Sequence, residues 1–129
     1  MKLLLDTHAL VWWWKDDPRL PARARGTIAD PNNTVFVSAV AAWELATKHR
    51  IGKWPEAEHV IAEYMTLLRR SRFQPLSIST EHAHRAGLLP GPHRDPFDRL
   101  LIAQAGLEAL TVVTGDPVFK VYDADVIWA

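Results

Sequence analysis

The sequence contains no cysteine. That excludes a disulfide framework and any thiolate zinc site, and it suits a reducing cytoplasm. It has no hydrophobic run long enough to cross a bilayer. The opening Met1-Lys2-Leu3-Leu4-Leu5 stretch is too short for a signal-peptide core, and Asp6 closes it at once. There is no net charge either, because fifteen basic and fifteen acidic residues cancel. A strongly basic nucleic-acid-coating protein is thereby disfavoured, but an enzyme that recruits a divalent cation to meet phosphate is not. No repeat, low-complexity tract or linker is visible, so residues 1–129 read as one domain. With 48% hydrophobic and 23% charged residues, the chain has the composition of a folded globular protein.

What is present alternates between strand and helix signals. Lys2 to Leu5 reads as a buried strand and His8 to Trp14 as a helix. Pro21 to Ala29 reads as a second helix, opened by a first-turn proline. Asp30-Pro31-Asn32-Asn33 marks a turn, and Val35-Phe36-Val37 is a second strand. Ser38 is placed to cap a helix running to about Ile51, which Gly52 stops. Glu56 to Arg72 predicts one long amphipathic helix, with Val60, Tyr64, Leu67 and Leu68 at helical spacing and Arg69, Arg70 and Arg72 at its end. Gln74-Pro75-Leu76 fits a short edge strand. Helices are expected over Thr80–Leu89 and Phe97–Ala109, and strands over Leu110–Thr114 and Val126–Trp128. This order predicts an α/β fold with a mostly parallel sheet covered on both faces. Ligands in such folds sit at the carboxyl ends of the strands.

Four stretches bring acids to that edge. Asp6 ends the first strand, Glu44 lies about two turns into the helix after the second, Asp95 and Asp98 open the helix before the third good strand, and Asp116 follows that strand. Each has a plainer alternative. Asp6, Asp95 and Asp116 are well placed to cap helices or start turns, and Glu44 could lie on a solvated face, although its neighbours Val40-Ala41-Ala42-Trp43 and Leu45-Ala46 are apolar. Taken together the alternatives weaken. Carboxylates ~4 Å apart repel by about 4 kcal/mol per pair at an effective dielectric near 20, so a fold that gathers them needs a counter-charge or protonation. Oxygen donors without cysteine, and histidines without ligand-like spacing, point to a hard cation such as Mg²⁺ or Mn²⁺. The chemistry natural to such a centre is phosphodiester hydrolysis.

The motifs resemble those of PIN-domain nucleases. Leu4-Leu5-Asp6-Thr7-His8 resembles the family's opening motif. The run from Ser38 to Lys48, with Trp43-Glu44 at its centre and Gly52-Lys53 beyond it, looks like the second. The run from His93 to Ala105, containing Asp95-Pro96-Phe97-Asp98, is similar to the third, and Thr114-Gly115-Asp116 followed by Phe119 to the fourth. The likeness spans nearly the whole chain and is nearest to VapC-type toxins of toxin–antitoxin pairs. It implies a three-layer α/β/α sandwich and a Mg²⁺- or Mn²⁺-dependent endoribonuclease acting on RNA. It also implies a homodimer silenced by a cognate antitoxin. Asp6, Glu44, Asp98 and Asp116 would then be the metal-binding, catalytic acids. Asp95 is an extra acid that either caps its helix or reaches the metal, and Thr7 and Thr114 would orient ligands or waters. Gly115 departs from the family by leaving no side chain before the fourth acid, which puts substrate contacts there in question.

Two other readings compete. One is a phosphatase of the haloacid-dehalogenase type with Asp6 as nucleophile, but position 8 is histidine where such enzymes place their second acid. The other is a PIN-like binding module whose acids only cap helices. Lys48, Lys53, Arg94 and Arg99 lie near the acidic motifs in sequence and are candidates for holding RNA phosphates; Arg94 and Arg99 bracket two acids and are the better placed. His93 could join them, although the histidines as a set read as structural or surface residues. Trp12-Trp13-Trp14 cannot all face one core, since successive helical residues are about 100° apart. At least one is expected to point outward or to a partner.

Overall fold

The structure, a computed structural model, describes residues 1–129. Its strands are β1 (Lys2–Leu5), β2 (Thr34–Ser38), β3 (Gln74–Leu76), β4 (Thr111–Thr114) and β5 (Val126–Trp128). They form one all-parallel sheet in the order β3-β2-β1-β4-β5. Parallel neighbours need crossovers, and helices supply them. The helices α1 (Thr7–Trp14) and α2 (Ala22–Ala29) link β1 to β2. Next, α3 (Ala39–Arg50), α4 (Glu58–Ala62) and α5 (Tyr64–Arg70) lead to β3. Then α6 (Thr80–Leu88) and α7 (Pro96–Glu108) lead to β4, and α8 (Val118–Val121) to β5.

The three consecutive leucines of β1 are fully buried because both faces of the strand are covered, which is why the strand shows no polar alternation. Leu3 and Leu5 pack with Ala9, Leu10, Ala24 and Ile28 of α1 and α2. Leu4 points the other way, to Leu101, Ile102 and Ala105 of α7 and to Phe119 of α8. The register carries the division across the sheet, since Leu4 pairs with Val112 and Leu5 with Val113, and these valines join the same two clusters. The result is the α/β/α sandwich expected from the sequence.

The connections from β1 to β2 to β3 step in one direction, and the chain then crosses back to β4 and β5 on the other side of β1. Neighbouring strands whose connections run in opposite directions leave a crevice beyond their carboxyl ends. Here that crevice lies between β1 and β4, where Asp6 and Asp116 follow the strands.

The long helix expected over Glu56–Arg72 is broken. A 3₁₀ turn at Pro55–Ala57 precedes α4, and Glu63, at φ −101° and ψ 10°, separates α4 from α5. Val60 of α4 is buried with Val11, Leu45 and Trp54, and Leu67 of α5 packs on that same cluster, while Leu68 of α5 packs on the α1/α2 face of the sheet. Other ends shift by a residue: Pro21 is the N-cap of α2 rather than its first turn, and α7 starts at Pro96.

Candidate active site

Asp6 is buried at the end of β1 and is the N-cap of α1, accepting from Ala9 N–H at 2.9 Å. Its other oxygen accepts from the Thr114 hydroxyl, and that hydroxyl oxygen accepts from Asp116 N–H at 3.0 Å. Thr114 therefore ties the ends of β1 and β4 together. Thr7 does the same for α3, donating to Glu44 Oε1 at 2.6 Å. Glu44 is buried, and its second oxygen pairs with Lys48 one turn on. Asp98 lies in the first turn of α7, 2.9 Å from His93 Nε2. Asp95 caps α7 through Oδ1, accepting from Phe97 and Asp98 N–H. Asp116 accepts from Val118 N–H at 2.9 Å, at the entrance to α8.

All five carboxylates line one cavity of about 470 Å³. The capping roles of Asp6 and Asp95 are real, yet they leave both residues facing this space. The charges feel one another. Burial pushes the Asp98 carboxyl up to about 6; contact with His93 opposes the rise, and the charges of Asp95, Asp116 and Glu44 add to it. Burial also raises Asp6, against the hydrogen bonds from Ala9 and Thr114 and the charge of His8, and Glu44 raises it further. Burial would lower the Lys48 ammonium, but its contact with Glu44 and the charges of Asp95 and Asp98 leave it raised. Five acids thus share one lysine in the cavity wall.

The donor set suits a hard divalent cation, because it consists of oxygens and its charge is under-compensated. No three acidic or histidine side chains converge tightly enough to chelate an ion by themselves. A divalent ion held there would keep part of its water shell, with some carboxylates reaching it through water.

The basic candidates separate. Lys48 lines the cavity. Lys53 and Arg94 are exposed and lie outside its wall. Arg99 is not available to RNA: its guanidinium donates to the carbonyls of Ala86, His93 and Leu89, pinning the loop between α6 and α7. The sequence placed it beside two acids, but on α7 it follows Asp98 by 100° and faces α6 instead. His93, read with the other histidines as structural or surface, is the group bonded to Asp98; its position in the loop just before the α7 cap was the available signal. His82 is structural, buried in a capping box with Ser79 and bonded to Glu108.

None of Trp12, Trp13 and Trp14 is fully exposed. Trp13 packs towards Phe73, and Trp14 donates to Ser71 Oγ at 2.7 Å beside Tyr64. Trp12 borders the acid cavity. Gly115 also has a structural reason, since a Cβ there would stand 2.7 Å from the Ala129 carbonyl oxygen.

The chain is similar to Ribonuclease VapC16 of Mycobacterium tuberculosis, with 38% identity over 73 residues, 54% of this chain and 50% of that protein. The match thus spans about half the length of that curated relative. Among solved structures it resembles VapBC2 from Rickettsia felis bound to a DNA fragment from their promoter (TM-score 0.72, 21% identity, 99% of this chain and 98% of the other). It also resembles Mycobacterium tuberculosis VapC20, a Sarcin-Ricin loop cleaving toxin (TM-score 0.69, 12% identity, 95% of each chain). The family model for the PIN domain matches residues 3–125, a span that contains β4, all of β1 but Lys2 and every acid of the cavity, and the chain therefore belongs to the PIN domain family.

Proposed function

We propose that the chain is a Mg²⁺- or Mn²⁺-dependent endoribonuclease, the toxin of a toxin–antitoxin pair, working in the cytoplasm as a homodimer that a cognate antitoxin silences. The observation that carries this reading is the convergence of acids from four separate segments on one cavity at the carboxyl edge of β1 and β4. Helix capping alone gives no reason for Glu44, which caps nothing, to be buried opposite Asp98. The similarity to Ribonuclease VapC16 supports the reaction, and the VapBC and FitAB complexes among the similar structures support the antitoxin partner.

In this reading Asp6, Glu44, Asp98 and Asp116 hold the cation, and Asp95 adds charge beside them. A bound divalent ion would supply Lewis acidity at the phosphate and an activated water. The chain's own groups do the positioning. Thr114 and Thr7 fix the carboxylates of Asp6 and Glu44 through their hydroxyls. His93 holds Asp98, and Lys48 balances charge beside Glu44. Lys48, Lys53 and Arg94 remain as phosphate contacts.

Asp6→Asn and Asp98→Asn should each abolish Mn²⁺-dependent cleavage of RNA while circular dichroism stays native, and calorimetric titration of the wild type should show Mn²⁺ uptake that both variants lose. Undiminished cleavage in either variant, or with chelator present, would overturn the assignment.

A further inference from the structure

The cavity that holds the acids has a second wall of different chemistry. His8 and Trp12 both line it. They lie four residues apart on α1, so they share one helix face, and their rings meet edge to face at 6.0 Å. The wall is rigidly backed. His8 stacks on Trp54, with centroids 4.5 Å apart and planes 30° apart, and Trp54 is itself buried among Val11, Leu45, Ala57 and Val60. Arg19 covers one side of Trp12 at 5.3 Å from the ring centre, and Asp17 holds Arg19 with two hydrogen bonds at 2.8 and 3.1 Å. The rings are therefore already ordered, and a flat ligand placed against them costs little side-chain entropy.

The same cavity is poor in cations. Lys48 is the one lysine or arginine in its wall, and Glu44 already engages it. Phosphate contacts alone cannot carry much affinity there. A nucleobase offers what the wall can use, since every base has a π-face that stacks on aromatic rings. Stacking on a protein ring requires a base whose face is not covered by its neighbours in a duplex.

We propose that His8 and Trp12 form a base-stacking wall that holds one nucleobase of the substrate next to the scissile phosphate. This rests on the nuclease reading above and adds the part of the substrate that is bound.

The test uses the full chain carrying Asp98→Asn without divalent metal, which keeps both rings and does not cut. Fluorescence anisotropy would compare a mixed-sequence single-stranded oligoribonucleotide with an oligomer of equal length whose positions are abasic. The intact oligomer should bind roughly 5- to 100-fold tighter, the range expected for one stacked base. Adding Trp12→Ala or His8→Ala should erase most of that difference while leaving affinity for the abasic oligomer unchanged, and Trp12→Phe should restore most of it. The wall is refuted if base-bearing and abasic oligomers bind alike, as expected if the rings serve a polypeptide or only the core. It is refuted equally if the difference survives in the alanine variants. Cleavage by the wild-type chain is scored separately: RNA cut normally with no base dependence sinks the wall alone, and no cleavage of any RNA sinks the nuclease reading.

Discussion

Asp98 is under electrostatic load in the cavity. Its side chain is 19% exposed, and burial with three neighbouring acids pushes its carboxyl up to about 6. The sign of the consequence follows from linkage. Between the ordinary carboxyl range near 4 and about 6, the folded chain holds a proton that the unfolded chain has released. Metal-free stability therefore falls as pH rises through that window and levels off above it. Asp6 shifts in the same direction from burial. Half-buried Asp17, held down to about 2 by Arg19, acts only below pH 4, outside the window. Replacing Asp98 by Asn removes the penalty, so in chelator at pH 8 that variant should be more stable than the wild type by on the order of 1–3 kcal/mol. The gap should narrow to about half at pH 5 and close only below pH 4. Denaturant melts of both proteins at the two pH values measure it, and a wild type that is the more stable at pH 8 contradicts the load on this residue. With Mn²⁺ present the order should reverse, because only the wild type has the ligand to gain.

The helices supply a prediction that is independent of function. The C-cap of α7 is Ala109 at φ 53° and ψ 52°, a left-handed conformation that crowds a Cβ. Glycine there avoids the clash, less its own loss of freedom on folding. Ala109→Gly should stabilise the chain by about 0.5–1 kcal/mol without changing metal uptake, and a thermal melt that shows loss would mean that the methyl packs. Features of this kind also show what the sequence could reveal. The apolar β1, the Ser38 cap and the Asp95-Pro96 start of α7 are local signals, and each element formed where its signal lay. The convergence of the acids on one edge was readable from the order of strands and helices. The break at Glu63 was not, since both halves carry good helix formers. The bond from Thr114 to Asp6 spans 108 residues and depends on β4 pairing beside β1. The fate of Arg99 likewise depends on carbonyls that α6 and its loop bring to it. Contacts made by topology have no local trace.

At the scale of the whole molecule, charge is balanced overall but not in place. Five acids meet at one edge of the sheet, and once Arg99 is committed to backbone carbonyls the basic candidates left to meet phosphate are Lys53, Arg94 and Lys48, the last already paired with Glu44. Each phosphate neutralised on a single strand contributes a slope of about −0.7 to the dependence of log affinity on log salt. Three such contacts set a limit near −2, shallow beside proteins that coat nucleic acid with basic patches. Binding of a single-stranded oligoribonucleotide to the Asp98→Asn chain, measured from 50 to 300 mM KCl without divalent metal, should therefore weaken only modestly. Lys53→Ala and Arg94→Ala should each flatten the slope by about 0.7, whereas Trp12→Ala should lower affinity at every salt concentration with the slope unchanged, because stacking releases no counterions. A slope steeper than about −4 would require a basic surface elsewhere, with the arginines at the end of α5 the first to mutate, and the RNA would then be held mainly by its backbone rather than by a base beside the acids.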